Sequence, residues 1–262
     1  MPTTLLSDHQ IDLWYTPQGV ATDRGLLEEY GSLITADEAA RQRRFVFDKD
    51  REQFLLARAL VRSVLSCYAD VPPAEWRFGQ NDFGKPGIDR PEAPPELAFN
   101  LSHTQGLVVC AVAKAASVGV DVEAIDRDVE HLTIAERFFA EPECRYLRGA
   151  AADERGRAFF RIWTLKEAYI KAHGRGLSIP LGSFAVVPAD QRPPSLELLD
   201  DSSVDVSEWR FAQLEMAGQF LIGICAQRTA PAAMDVCVRE MVPLREVKDR
   251  AVLRVDRGLL TI

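Results

Sequence analysis

Apolar positions along the chain follow two periods, and the same order of periods occurs twice. In the first half, IDLWYT from Ile11 predicts a short strand, FLLARALVRSVLSCY from Phe54 has the three- and four-residue apolar spacing of a helix, and EWRF at Glu75 reads as another strand. The second half repeats the series with VGVDVE from Val118, a helix through FFRIWTLKEAYIKA and the strand SFAVV at Ser183. Each half also holds an S/T-x-x-E box, Thr35 with Glu38 and Thr133 with Glu136, which predicts a helix start because its side chains satisfy the unpaired N–H groups of the first turn. Phe99 is followed by Gly106 and the run LVVCAVA, and 112 positions later Phe211 is followed by Gly218 and QFLIGICA. Two hairpins with glycine near the turn are therefore expected. The near-identical EWRFGQ at Glu75 and EWRFAQ at Glu208 lie 133 residues apart, out of register with the other pairs, and are read as chance similarity.

The halves are thus two β-helix-β-β-β units, with boundaries expected at 1–116, 117–229 and a C-terminal extension over 230–262. That tail contains strand-like AMDVCVREM, which packs on the second half or extends from it.

Composition narrows the partners. A net charge of -8 and an ordinary apolar fraction of 47% describe a globular chain that is neither a nucleic-acid coat nor a polybasic membrane binder. The start, MPTTLLSDHQ, has neither a basic region nor an apolar core, and no run approaches the roughly 20 apolar residues of a membrane span, so a cytoplasmic protein is expected. Five widely spaced cysteines, several inside apolar runs, read as buried reduced thiols. The cations are 25 Arg and only six Lys, which makes each lysine informative.

Four segments carry candidate chemistry. In GVDVE the two-residue period puts Asp121 and Glu123 on one strand face, where hard oxygen ligands suit Mg²⁺ or Mn²⁺, although an ordinary polar face has the same pattern. In WTLKEAYIKA, Trp163, Glu167 and Lys171 share a helix face; an i,i+4 ion pair is the plain reading, and apolar neighbours with two rare lysines favour a functional one. FGKPG departs from a phosphate loop because Pro86 replaces the final Ser or Thr, leaving either a plain β-turn or a turn that presents Lys85 and backbone N–H groups to an anion. In FNLSHT, Ser102 and His103 are adjacent and point to opposite strand faces, which excludes a nucleophile-base pair, while His103 remains a hydrogen-bond donor for a phosphate. No histidine spacing fits zinc.

In order and spacing, FGKPGI, FNLSHT, VGVDVE and WTLKEAYIKAHGRGLSIPL, with RRFVF and LARALVRSVL before them, resemble the 4′-phosphopantetheinyl transferases. The likeness is to the larger single-chain, surfactin-synthetase-activator type and spans about Thr35 to Val187. It implies an α+β pseudo-dimer of two similar α/β halves related by a pseudo-two-fold axis, monomeric in solution. The implied reaction transfers the phosphopantetheine arm of coenzyme A to a serine of an apo acyl or peptidyl carrier protein, releasing 3′,5′-ADP.

By position, the resemblance assigns Asp121, Glu123 and Glu167 to Mg²⁺, with Glu167 also as general base and Lys171 on the phosphate near the leaving group. It places His103 on the pyrophosphate, Ser102 in the neighbouring loop, Gly84, Lys85 and Pro86 at the adenine nucleotide, and Arg41 and Arg58 at the 3′-phosphate. Glu38 and Phe54 stand where the type pattern has a lysine and a threonine, which points to a grip rearranged around Arg41, Arg44 or Arg58. The other class is a non-catalytic coenzyme A-binding or carrier-docking module; the intact Asp121, Glu123, Glu167 and Lys171 set argues for turnover, since binding alone requires no base.

Overall fold

The computed structural model describes residues 6–21, 23–91, 97–115, 117–126, 130–200, 204–228 and 234–262. The first half runs β1 (Gln10–Pro17), α1 (Arg24–Leu33), α2 (Ala36–Gln42), α3 (Asp48–Leu65), β2 (Arg77–Gln80), β3 (Pro86–Arg90), β4 (Leu97–Thr104) and β5 (Leu107–Lys114). The second half runs β6 (Ser117–Ala124), α4 (His131–Phe138), α5 (Glu141–Gly149), α6 (Arg155–His173), β7 (Phe184–Val187), β8 (Ser195–Leu198), β9 (Trp209–Met216) and β10 (Phe220–Gln227). The order is duplicated as the periodicity predicts, but each half has three helices in its helical region and one strand more than expected, β3 or β8, which completes the small hairpin. In each half the last strand pairs antiparallel with both the first and the penultimate one, β5 with β1 and β4, β10 with β6 and β9. A small hairpin, β2–β3 or β7–β8, precedes those last two strands. The chain is a pseudo-dimer of α+β halves.

Three strands remain: β11 (Asp235–Val242), β12 (Glu246–Arg254) and β13 (Leu260–Thr261). β11 lies parallel to β1 in the sheet β12-β11-β1-β5-β4, and β13 lies parallel to β9 in the sheet β13-β9-β10-β6. The tail expected to pack on the second half or extend from it therefore widens both sheets. The boundary positions 116 and 229 lie outside the described residues.

Strand alternation decides the layering. Ile11, Leu13, Val109 and Ala111 of the first sheet meet Val118, Val120, Ile222 and Ile224 of the second in one core, so the sheets pack face to face. The opposite face of the first sheet, with Trp14, Val108, Cys110 and Val112, packs under α1 and α3. α6 lies on the outer face of the second sheet, where Leu165, Ala168 and Tyr169 join Phe211 and Cys225. All five cysteines are buried and free, as their apolar surroundings predicted. Among the described residues no helix is long and apolar enough to cross a membrane.

Two local expectations resolve differently. Thr35 and Glu38 do form the capping box of α2, Glu38 Oε2 accepting from Thr35 N at 3.0 Å. Thr133 lies inside α4, which starts at His131 with no side-chain cap, and Glu143 instead receives Ala140 N at 3.0 Å at the start of α5. EWRFGQ feeds the small hairpin strand β2 and EWRFAQ the main-sheet strand β9, so these copies occupy unrelated places.

Candidate active site

Backbone proximity sets up the site. A Cβ on Gly119 of β6 would lie 2.1 Å from Ala168 O and 2.4 Å from Ala172 N, and one on Gly223 of β10 would lie 2.3 Å from Thr164 O. Only glycine lets α6 approach the sheet this closely. The approach brings the polar face of β6, with Asp121 and Glu123, against the helix face bearing Glu167 and Lys171. α6 ends at Gly174, whose φ of 80° is the left-handed cap conformation, and its last turn carries Lys171, the charge sign a helix C-terminus favours.

Lys171 Nζ donates to Asp121 Oδ1 at 2.6 Å, to Ser102 Oγ at 2.9 Å and to Val120 O at 3.2 Å. Ser102 Oγ in turn donates to Asp121 Oδ1 at 3.0 Å. Since Ser102 belongs to β4 and Asp121 to β6, the network joins the halves, and Asn100 Oδ1 reinforces it by accepting from Val120 N at 2.9 Å. The Asn100 link was not foreseen; its signal was a lone amide between the apolar residues Phe99 and Leu101. Asp121 Oδ2 is buried and has no hydrogen-bond partner.

Burial and then the neighbouring Asp121, with Glu123 adding to them, push the Glu167 carboxyl above the usual glutamate range against the opposing pull of Lys171. His103 is open to solvent on one side, yet desolvation by the surrounding protein, followed by Lys171 and Arg58, holds its imidazole below the usual value. Among the described residues no three His, Cys, Asp or Glu side chains close around a single point, and the cation against Asp121 is Lys171.

Two cavities flank this network. One of about 900 Å³ lies between the hairpin turns of the two halves, lined by His103, Gln105, Gly106, Glu123, Asp126 and Gly218 to Phe220. The other, of about 350 Å³, is lined by Arg41, Phe45, Phe54, Arg58, Leu101 and His103. Gln53 borders both and anchors by donating to Thr104 O at 2.7 Å, a role its sequence context did not signal.

Glu38, the departure from the type pattern, lies 3.4 Å from Arg58 Nε and 2.6 Å from the fully buried Arg62 Nη2. Phe54, the other departure, lies under the guanidinium of Arg58 at 5.1 Å and that of Arg41 at 6.0 Å. Arg44 is exposed and borders neither cavity.

Gly84, Lys85 and Pro86 border neither cavity. Gly84, with φ 85°, completes a turn in which Asn81 Oδ1 accepts from Phe83 N and Lys85 N, and the turn rests on the C-terminus of α6. Lys166, adjacent to Glu167, is fully buried: its ammonium meets Glu143 Oε1 and Oε2 at 2.8 and 2.7 Å and Phe184 O at 2.7 Å.

Known proteins resemble this chain in sequence. Residues 117–225 match the model of the 4′-phosphopantetheinyl transferase superfamily and residues 24–115 that of the 4′-phosphopantetheinyl transferase N-terminal region. The 4′-phosphopantetheinyl transferase HetI of Nostoc sp. is 37% identical over 202 residues, covering 75% of this chain and 84% of the relative. The 4′-phosphopantetheinyl transferase Sfp of Bacillus subtilis is 35% identical over 189 residues, covering 71% and 82%. The crystal structure of Thermotoga maritima holo-[acyl-carrier-protein] synthase aligns with 56% of this chain and 98% of its own at 16% identity and a TM-score of 0.34, too slight a likeness to bear on the assignment.

Proposed function

The chain belongs to the 4′-phosphopantetheinyl transferase family, Sfp type, and transfers phosphopantetheine to carrier proteins; from that premise we propose that coenzyme A is the donor, Asp121, Glu123 and Glu167 hold Mg²⁺, and Glu167 is the general base. The observation that carries this reading is the Asp121 carboxylate, with one oxygen held by Lys171 and Ser102 and the other buried without a partner. A buried carboxylate oxygen left unpaired is costly, and a hard cation satisfies it. The donor set is all oxygen, and Glu167 stands close enough to feel the charges of Asp121 and Glu123. When bound, Mg²⁺ offsets the charge of the pyrophosphate as a Lewis acid.

The protein's own groups account for the remaining chemistry. The carrier serine oxygen bonds to the phosphorus that bears the pantetheine arm, the pyrophosphate P–O bond breaks with its electron pair leaving on 3′,5′-ADP, and the serine proton passes to the Glu167 carboxylate. Lys171 places its ammonium at the phosphate that becomes the leaving group, sharing it with Asp121. His103 borders both cavities, and its lowered basicity keeps it neutral near pH 7, donating a hydrogen bond to the pyrophosphate through one ring N–H. Ser102 orients Lys171 and Asp121.

Arg41 and Arg58, both lining the smaller cavity, receive the 3′-phosphate. Gly84 and Pro86 approach the adenine nucleotide through the turn backbone. The chain works as a monomer in the cytoplasm on an apo acyl or peptidyl carrier.

The test is incubation of the protein with Mg²⁺, coenzyme A and a panel of apo carriers. Each accepted carrier gains the mass of the arm, and 3′,5′-ADP accumulates in equal amount. Arm transfer that proceeds undiminished in excess chelator overturns the metal assignment.

A further inference from the structure

Lys85 is the one site residue expected at the nucleotide whose side chain is wholly engaged elsewhere. It sits on the β2–β3 turn of the first half, yet its ammonium donates to Ser117 Oγ at 2.6 Å, Val118 O at 3.3 Å and Ala172 O at 2.8 Å, all in the second half. Three acceptors match the three donors of an ammonium, and the residue borders neither cavity. Two of these acceptors have particular positions. Val118 O lies on β6 three residues before Asp121, and Ala172 O lies on α6 one residue after Lys171.

The same turn makes a second link, Asn81 Nδ2 donating to Gly174 O at 2.9 Å. Packing agrees, because a Cβ on Gly174 would lie 3.0 Å from Lys85 Cδ. The ammonium also sits at the negative end of the α6 dipole, where a cation is favoured.

We infer that Lys85 is a positioning residue, a clamp from the first half that holds β6 to the last turn of α6 and so fixes Lys171 against Asp121. Burial lowers the Lys85 pKa to about 8, the mark of an ammonium withdrawn from water. The inference deepens the proposed reaction and rests on that reading for its kinetic arm only. Moving a reacting group by about 1 Å costs up to about a hundredfold in rate, so a clamp at this seam acts on turnover and leaves the substrate cavities intact.

The test compares the full chain with Lys85→Met, Lys85→Arg and Asn81→Ala. In Lys85→Met, kcat is expected to fall about 10- to 100-fold while the coenzyme A Kd, measured by calorimetry, stays within about twofold. Lys85→Arg restores part of the rate, and Asn81→Ala lowers kcat in the same direction. In a Lys171→Ala background Lys85→Met adds little further loss, because the clamp acts through the residue already removed. Backbone hydrogen exchange over residues 170–174 accelerates in Lys85→Met, a readout that needs no turnover. A coenzyme A Kd raised about tenfold or more with kcat retained makes Lys85 a nucleotide ligand and overturns the clamp. Full additivity with Lys171→Ala, or unchanged exchange at the end of α6, overturns it as well. Should Lys85→Met not fold, Asn81→Ala on the exposed turn decides by the same split between kcat and Kd. Absence of transfer by the unaltered protein counts against the proposed reaction and leaves the exchange result to judge the clamp alone.

Discussion

Lys171 and Asp121 meet at 2.6 Å across the seam between α6 and β6, and the ammonium engages one carboxylate oxygen while the other is buried without a partner. Asp121→Asn keeps the shape and removes the charge both from Lys171 and from a bound divalent ion. Transfer is expected to fall at least about a hundredfold, the scale of losing one charge-stabilising group in a site. Steady-state assays with Mg²⁺ titrated over a wide range check this; activity within about twofold of the parent contradicts it.

Glu167 gives a pH dependence with a definite sign. Its carboxyl is raised above the ordinary value of 4.5 by burial and by Asp121 and Glu123, so the fold disfavours the ionised form. Its stabilising contribution is fully present below the ordinary value and is lost as pH rises through the raised one. In chelator, Glu167→Gln should match the parent in Tm at low pH and become the more stable protein as pH rises toward neutrality. Adding Mg²⁺ should narrow that gap by stabilising the parent. A gap that widens as pH falls would reverse the assignment.

The Lys166–Glu143 pair is fully buried, and Glu143 also accepts backbone N–H groups from Ala140 and Val186. Removing one member of such a pair strands the other. Lys166→Met alone is expected to destabilise the fold by about 3–5 kcal/mol, and the double replacement Lys166→Met with Glu143→Leu to recover part of that loss. Urea denaturation of the single and double variants measures the difference.

Gly119→Ala tests the backbone approach itself. Its Cβ would clash with the main chain at Ala168 and Ala172, which cannot rotate aside, so α6 must move away from β6. The expected cost is about 1–3 kcal/mol in stability, and more if the sheet resists. Activity should fall further than Tm suggests, since the same shift separates Lys171 from Asp121. Glycine at 149, where an added Cβ meets nothing within 4 Å, is the control that should tolerate alanine.

The periodicity carried most of the architecture because alternation and helical spacing are local properties. VGVDVE and FFRIWTLKEAYIKA became β6 and α6, and the paired hairpins at Gly106 and Gly218 lie where spacing put them. What pattern could not carry was partner choice across the chain. Lys85 and Lys166 stand in motifs that read as phosphate or catalytic chemistry, and their ammonium groups instead bind carbonyls and a carboxylate more than 17 residues away. Thr133 has the letters of a cap, but α4 begins two residues earlier, at His131, whose ring packs against Phe159 and Phe160. Glu38 illustrates a substitution whose sense is invisible locally: one carboxylate caps α2 and pairs with two arginines of α3.

The parallel pairing of β11 with β1 joins Gln10 to Asp235, so the first sheet draws neighbouring strands from far apart in the sequence. On the ribosome, β1 emerges with one flank bare and keeps it so until β11 has been made. The second half can settle earlier, because its pairs β6–β10 and β9–β10 close within a shorter stretch. β11 and β12 therefore complete the first sheet after the paired strands of the second half have been made, and β13 then adds to the second sheet.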